Sequence, residues 1–170
     1  MKNKRTFDTK RLCVLAILVS LAMILSYLET LIPAFVAVPG VKLGLANVAS
    51  IFALYTLGAP SAAAVSLIRV CLSSLLFGNV TTLIYSLSGA FLSLSVMIFL
   101  KKLSRNSVIG VSAAGGVMHN AGQILAAMAI LGTAEILGYL PVLIVSGVAF
   151  GIVIGITAGL VIARVKEHIK

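Results

Sequence analysis

The chain has 170 residues, of which 61% are hydrophobic and only 10% charged, and its mean hydropathy is +1.19. Because a soluble domain is typically about a quarter charged, this composition excludes a water-soluble globule and predicts an integral membrane protein in contact with the lipid bilayer. The net charge of +9 does not indicate nucleic-acid binding, because the basic residues are grouped at the ends of apolar runs.

Six apolar runs follow one another along the chain, at residues 12–28, 43–57, 59–77, 80–100, 108–131 and 137–163. The runs are continuous and not alternating, which predicts helices instead of the strands of a barrel. A helical span takes about 20 residues, so six spans and short connectors fill a single transmembrane domain over residues 1–170. The predicted fold is an all-α six-helix transmembrane bundle, in which the second helix is short.

The basic residues predict the orientation of this bundle. Five of them lie in a tail at residues 1–11, three in the connector 101–105 and three in a tail at residues 164–170. Since Lys and Arg mark the cytoplasmic side, we expect both termini in the cytoplasm and a multi-pass protein of the plasma membrane. The first run has no cleavage site after it and is interpreted as an uncleaved span. The longest connector, residues 29–42, then lies outside and is a candidate lid.

Small residues recur on two of the predicted helices. The sixth run has a glycine every fourth residue, which allows another helix backbone to come close; these are Gly147, Gly151, Gly155 and Gly159. Packing within the chain is one interpretation of this face and binding of a partner is the other. The first run carries a second small-residue face, formed by Ala16, Ser20, Ala22 and Ser26.

Polar residues inside the predicted spans indicate function, because they are costly in lipid. Arg69 lies eight residues before the end of the third run, so it is buried in the membrane. It pairs with Glu29 or Glu135, pairs with carbonyls at a helix end, or binds an acidic group of a substrate. His119 has no second ligand at metal spacing, so neither a metal site nor a cofactor is predicted.

Most of the other polar residues fall in the outer half of the six-helix bundle, whereas the inner half has only its basic rim. This asymmetry predicts a pocket that opens outward and binds a small anionic or amphiphilic molecule. The predicted binding residues are Lys42, Asn47, Arg69, Asn79, Thr82, Tyr85, His119, Asn120 and Gln123.

Three motifs in order suggest a family: Pro39-Gly40-Val41-Lys42-Leu43-Gly44-Leu45-Ala46-Asn47, then Gly78-Asn79 with Tyr85-Ser86-Leu87-Ser88-Gly89, then His119-Asn120-Ala121-Gly122-Gln123. With them the chain resembles the Gx transporter family, also catalogued as heptaprenyl diphosphate synthase component I, over nearly its whole length. That family resembles the S components of energy-coupling factor vitamin transporters. The resemblance implies six helices, cytoplasmic termini, an outward pocket gated by the loop after helix one, and partnership with a transmembrane coupling subunit and two ATPases. It also implies that the small-residue face of the first helix meets the coupling subunit.

The acidic residues weigh against an enzyme. Prenyl transfer needs clustered aspartates that hold magnesium on a diphosphate, and the four acids of this chain are scattered at Asp8, Glu29, Glu135 and Glu167. A Gly-rich phosphate loop is absent from the sequence as well. We therefore expect a non-catalytic substrate-binding component of an uptake transporter. The alternative is an accessory membrane subunit in isoprenoid, quinone or flavin-linked redox metabolism. A channel or proton-coupled carrier ranks last, because the inner half lacks a polar path.

Overall fold

A computed structural model describes residues 9–31, 44–103 and 107–169, with side chains up to residue 165. Within these ranges the chain is all helical and has no strand, which confirms the predicted fold class. The helices are α1 (Thr9–Leu31), α2 (Asn47–Thr56), α3 (Ala59–Phe77), α4 (Val80–Lys102), α5 (Val108–Leu131) and α6 (Leu140–Ile169), with a short 3₁₀-helix at Glu135–Tyr139 before α6.

Five helices, α1 and α3 to α6, are long and apolar enough to cross a membrane. The exception is α2, whose 10 residues rise about 15 Å, or half the thickness of the hydrocarbon core. The predicted second run over residues 43–57 was therefore too long, since the helix begins only at Asn47. Gly44 precedes it with φ +74° and Gly58 follows it with φ +93°, and these conformations favour glycine at both turns. Six membrane crossings stay a prediction.

The helix directions place the two ends of the described chain together. α1 and α3 run side by side in the same direction, because Arg11 Nη2 donates to Ser61 Oγ at 2.7 Å near their first turns and the rings of Tyr27 and Phe77 lie 5.3 Å apart near their last. From α3 to α6 the helices alternate in direction. The start of α1 and the ends of α4 and α6 thus share one end of the bundle, which we call the basic end. That the basic end faces the cytoplasm remains a prediction.

The boundaries of α3, α4 and α5 follow from local signals in the sequence. Pro60 occupies the first turn of α3, where its missing N–H leaves no hydrogen bond unmade. Asn79 and Thr82 form a capping box at the start of α4. Ser107 caps the first turn of α5, and Gly132 ends it in the left-handed conformation.

The short helix α2 lies in the core, where it packs against α1, α3 and α6. Ile51 and Leu54 on α2 are each only 1% exposed. On the outside of the bundle the apolar side chains remain uncovered, as for Leu75 at 77% and Phe91 at 73% exposure. A continuous apolar exterior of this kind suits lipid and not water.

Candidate functional site

A buried arginine marks the middle of the bundle. Arg69 lies on α3, ten residues after its start and eight before its end, and is 8% exposed. Its Nη2 donates to Asn47 Oδ1 at 3.2 Å. Its Nε is also buried, and among the residues that the structure describes it has no acceptor. A charged donor left unsatisfied inside a membrane protein is costly, so Arg69 requires an explanation beyond packing.

The start of α2 lies beside this guanidinium. Asn47 is the first residue of the helix, and its own N–H donates to Gly44 O at 2.8 Å in the preceding turn. A helix start carries partial positive charge on its N–H groups. Because Asn47 contacts Arg69, this positive end lies level with the middle of α3, a helix long enough to cross a membrane.

Glu29 of α1 also lies close to Gly44 and Arg69. Its Oε1 accepts the Gly44 N–H at 2.5 Å, and it is near enough for its negative charge to stabilise the Arg69 guanidinium. Of the two acids considered as partners of Arg69, it is therefore Glu29 that lies close, whereas Glu135 is exposed on the 3₁₀-helix. We call Glu29, Gly44, Asn47 and Arg69 the Arg69 cluster.

Sequence reasoning placed Glu29 in a connector that started at residue 29, which was wrong, because α1 continues to Leu31. The apolar run ends at Leu28, but the backbone hydrogen bonds of the helix continue beyond it, to Leu31. The signal that identifies Glu29 is its position one helical turn beyond buried Ser26, on the face that α1 turns toward the bundle.

Two predicted binding residues, Asn79 and Thr82, form a helix cap. Asn79 Oδ1 accepts the Thr82 N–H at 2.9 Å, and Thr82 Oγ1 accepts the Asn79 N–H at 2.8 Å. Gly78 makes room for this arrangement, since a Cβ there would lie 2.5 Å from Thr82 Oγ1. These polar groups start α4 near the bundle surface, and the structure does not bring them to Arg69.

The polar residues of α5 form a second group, between α4, α5 and α6. Asn120 is buried and its Nδ2 donates to Leu143 O of α6 at 2.7 Å. Gly89 of α4 approaches His119 so closely that a Cβ there would lie 2.8 Å from the histidine carbonyl. Gln123 is also buried, at 7% exposure. These side chains lie at helix contacts, apart from the Arg69 cluster between α1, α2 and α3.

Of the nine predicted binding residues, the structure brings Asn47 and Arg69 into direct contact. Tyr85 is half-buried on α4, and Lys42 lies outside the described residues. Across the described ranges, His, Cys, Asp and Glu nowhere gather in threes to hold a metal ion.

The two small-residue faces differ in the structure. On α1, Ala22 and Ser26 point into the bundle whereas Ala16 and Ser20 are exposed, so the four do not make one outward face. On α6 the four glycines are Gly147, Gly151, Gly155 and Gly159. The first three lie against α5, because a Cβ added to any of them would come within 3 Å of an α5 atom. A Cβ added to the fourth would meet nothing within 4 Å.

The other end of α2 is held by cations from the basic end. Lys101 Nζ of α4 donates to the carbonyl of Leu54 and lies 5.0 Å from the centre of the Tyr55 ring. Arg11 Nη2 of α1 reaches Leu57 O at 3.4 Å. Carbonyls at a helix end lack partners within the helix and carry partial negative charge, so these bonds satisfy them.

Comparison with known proteins gives one result at family level. Neither a curated protein nor a solved structure shows significant similarity to this chain. The model of the family described as heptaprenyl diphosphate synthase component I matches residues 18–161, a range that includes the whole Arg69 cluster. This match covers most of the chain, which therefore belongs to the heptaprenyl diphosphate synthase component I family.

Proposed function

We propose that this protein is the membrane-embedded substrate-binding component of an uptake transporter, which captures a small anionic or amphiphilic molecule from the outer side. The observation that carries the proposal is the Arg69 cluster, a buried guanidinium at the start of a half-length helix in mid-membrane. Transporters commonly form their substrate sites near the bilayer midplane, where the positive ends of discontinuous helices face an anionic group.

The cost of the cluster supports a functional role. Glu29 and Asn47 satisfy Arg69 only in part, because its Nε remains without an acceptor among the described residues. A site that evolved only to stabilise the fold gains little from burying a charge, since an apolar group of similar size is often as stable. A ligand that accepts from the guanidinium accounts for the buried charge and for the open donor together.

Energy for uptake has to come from partner proteins in this proposal, because the sequence has no Gly-rich phosphate loop. The expected partners are a transmembrane coupling subunit and ATPase subunits. Exposed Ala16 and Ser20 lie one turn apart on α1 and offer a shallow face for such a subunit.

Native mass spectrometry of the protein, purified from its own membrane in mild detergent, tests the proposal. We expect a retained small molecule and subunits with ATPase activity. We also expect Arg69→Ala to lose the small molecule, while Asn79→Ala, which alters only the cap of α4, keeps it. A protein that retains neither ligand nor ATPase subunits in several detergents, or an Arg69→Ala variant with full ligand occupancy, would contradict the proposal.

The family description favours a second candidate, an accessory membrane subunit of a prenyl-diphosphate-forming enzyme. In this case the chain would anchor or assist a soluble catalytic subunit, because its own acids are too scattered to hold magnesium on a diphosphate. The same purification distinguishes the two candidates. Recovery of a soluble prenyltransferase, whose rate rises when the membrane protein is added back, would favour the accessory subunit.

A further inference from the structure

We infer that the Arg69 cluster recognises a carboxylate, a planar group of single negative charge, and discriminates against a diphosphate. This inference rests on the proposed substrate-binding function and names the class of ligand. It follows from the donors that the cluster leaves open and from the balance of its charges.

The open donor is suited to a carboxylate. A guanidinium presents its Nε–H and one Nη–H in parallel, and these two donors match the two oxygens of a carboxylate. In Arg69 the bond to Asn47 uses one of the two Nη2 hydrogens, and Nε–H is buried without an acceptor among the described residues. We assign the Nε–H and the second Nη2 hydrogen to the two oxygens of the carboxylate.

Asn47 orders the Arg69 side chain and lies where a small molecule can approach it. Its Oδ1 accepts a hydrogen bond from the guanidinium at 3.2 Å and so restricts the motion of the Arg69 side chain. Arg69 therefore loses less conformational entropy when a ligand binds. Asn47 itself is only half-buried, so the start of α2 can be approached by a small molecule. We regard Asn47 as a positioning residue for Arg69.

The charge of the cluster argues against a diphosphate. In the Arg69 cluster, Arg69 carries one positive charge and Glu29 carries one negative charge. The start of α2 adds about half a positive charge. The sum is about half a positive charge, so a single carboxylate leaves only about half a negative charge uncompensated. A diphosphate brings about two to three negative charges and would leave most of them uncompensated in a low-dielectric interior.

The test is NMR observation of the arginine Nε–H signals in protein labelled with ¹⁵N-arginine, where the Arg69 signal is assigned by its loss in Arg69→Lys. Benzoate, benzamide and inorganic pyrophosphate serve as probes, because benzamide keeps the shape of benzoate and removes its charge. We expect benzoate to move the Arg69 signal in a saturable manner, with an apparent Kd at least tenfold lower than that of either other probe.

Two matched variants that retain Arg69 test the site further. Asn47→Asp places a carboxylate beside the guanidinium and should weaken benzoate binding at least tenfold. Asn79→Asp makes the same change at the cap of α4, where Asp is also a good cap, and should leave binding unchanged. The inference is overturned if pyrophosphate binds as tightly as benzoate, if benzamide does so, if Asn47→Asp binds benzoate as the wild type does, or if no probe gives a saturable shift.

The outcome for the ligand class is separate from the outcome for the proposed function. Selective benzoate binding in a protein that never associates with ATPase subunits would support the ligand class and count against the transporter. ATPase subunits that co-purify with a protein insensitive to benzoate would support the transporter and overturn the ligand class.

Discussion

Replacement of Gly151 by alanine tests the contact between α5 and α6. A Cβ at Gly151 would lie 2.6 Å from Ala113 Cα and 2.9 Å from Ser112 O, whereas carbon atoms in ordinary contact are about 3.5–4.0 Å apart. The obstructing atoms are mainly backbone, so the helices must separate by about 1 Å. Overpacking of this kind costs about 1–3 kcal/mol, and the higher helix propensity of alanine returns at most about 1 kcal/mol.

Gly159→Ala is the matched control, because a Cβ there meets nothing within 4 Å. Both substitutions exchange glycine for alanine within α6, so the gain in helix propensity is nearly the same for each and cancels when the variants are compared. We therefore expect Gly151→Ala to be less stable than Gly159→Ala by about 1–3 kcal/mol. Reversible unfolding in mixed detergent micelles, followed by circular dichroism, measures this difference. Equal stability of the two variants would refute the packing argument.

Substitutions at three further positions follow from side-chain hydrogen bonds and are measured by the same unfolding assay. Asn79→Ala should cost about 1 kcal/mol through loss of the helix cap, and Asn79→Ser should recover most of this loss. Asn120→Leu removes the shorter of two side-chain hydrogen bonds to the Leu143 carbonyl, which Ser146 Oγ still reaches at 3.1 Å, and should cost about 0.5–1.5 kcal/mol; wild-type stability would contradict the role assigned to this bond. Arg11→Met keeps an apolar stem but loses the hydrogen bond to Ser61 Oγ, so we expect the free energy of unfolding to fall by about 1 kcal/mol. Unchanged stability would mean that water replaces this bond at no cost.

The helix boundaries were predictable where the sequence carries a local signal at each end. The predicted runs 59–77 and 108–131 coincide with α3 and α5, because Pro60, the Gly78-Asn79 pair, Ser107 and Gly132 act within a few residues of the boundary. The first run was predicted shorter than α1. Hydropathy reports where a helix leaves the hydrocarbon region, whereas backbone hydrogen bonding continues into polar residues.

The site was harder to predict, because sequence gives the depth of a residue better than the direction in which it points. Depth alone made Asn79 and Asn120 candidates alongside Arg69. The pattern Asn79-x-x-Thr82 also contains the signal of a capping box, which indicates a structural role for Asn79 and Thr82 that depth alone does not reveal. The contact between Asn47 and Arg69 had no local signal, since it depends on how far α2 reaches into the bundle.

Both ends of α2 depend on charged residues from other helices, and this dependence explains how so short a helix persists in a membrane. Its start lies level with the middle of α3, where Glu29 accepts from Gly44 in the preceding turn and Arg69 donates to Asn47. Near its other end, the carbonyls of Leu57 and Leu54 accept from Arg11 and Lys101 of the basic end. Open helix ends are costly in lipid because water cannot satisfy them. The cations at the basic end are hydrogen-bonded to carbonyls of α2 and its cap, whereas at the start of α2 Arg69 retains a buried donor without an acceptor among the described residues. This difference between the two ends is the reason to assign the ligand to the start of α2.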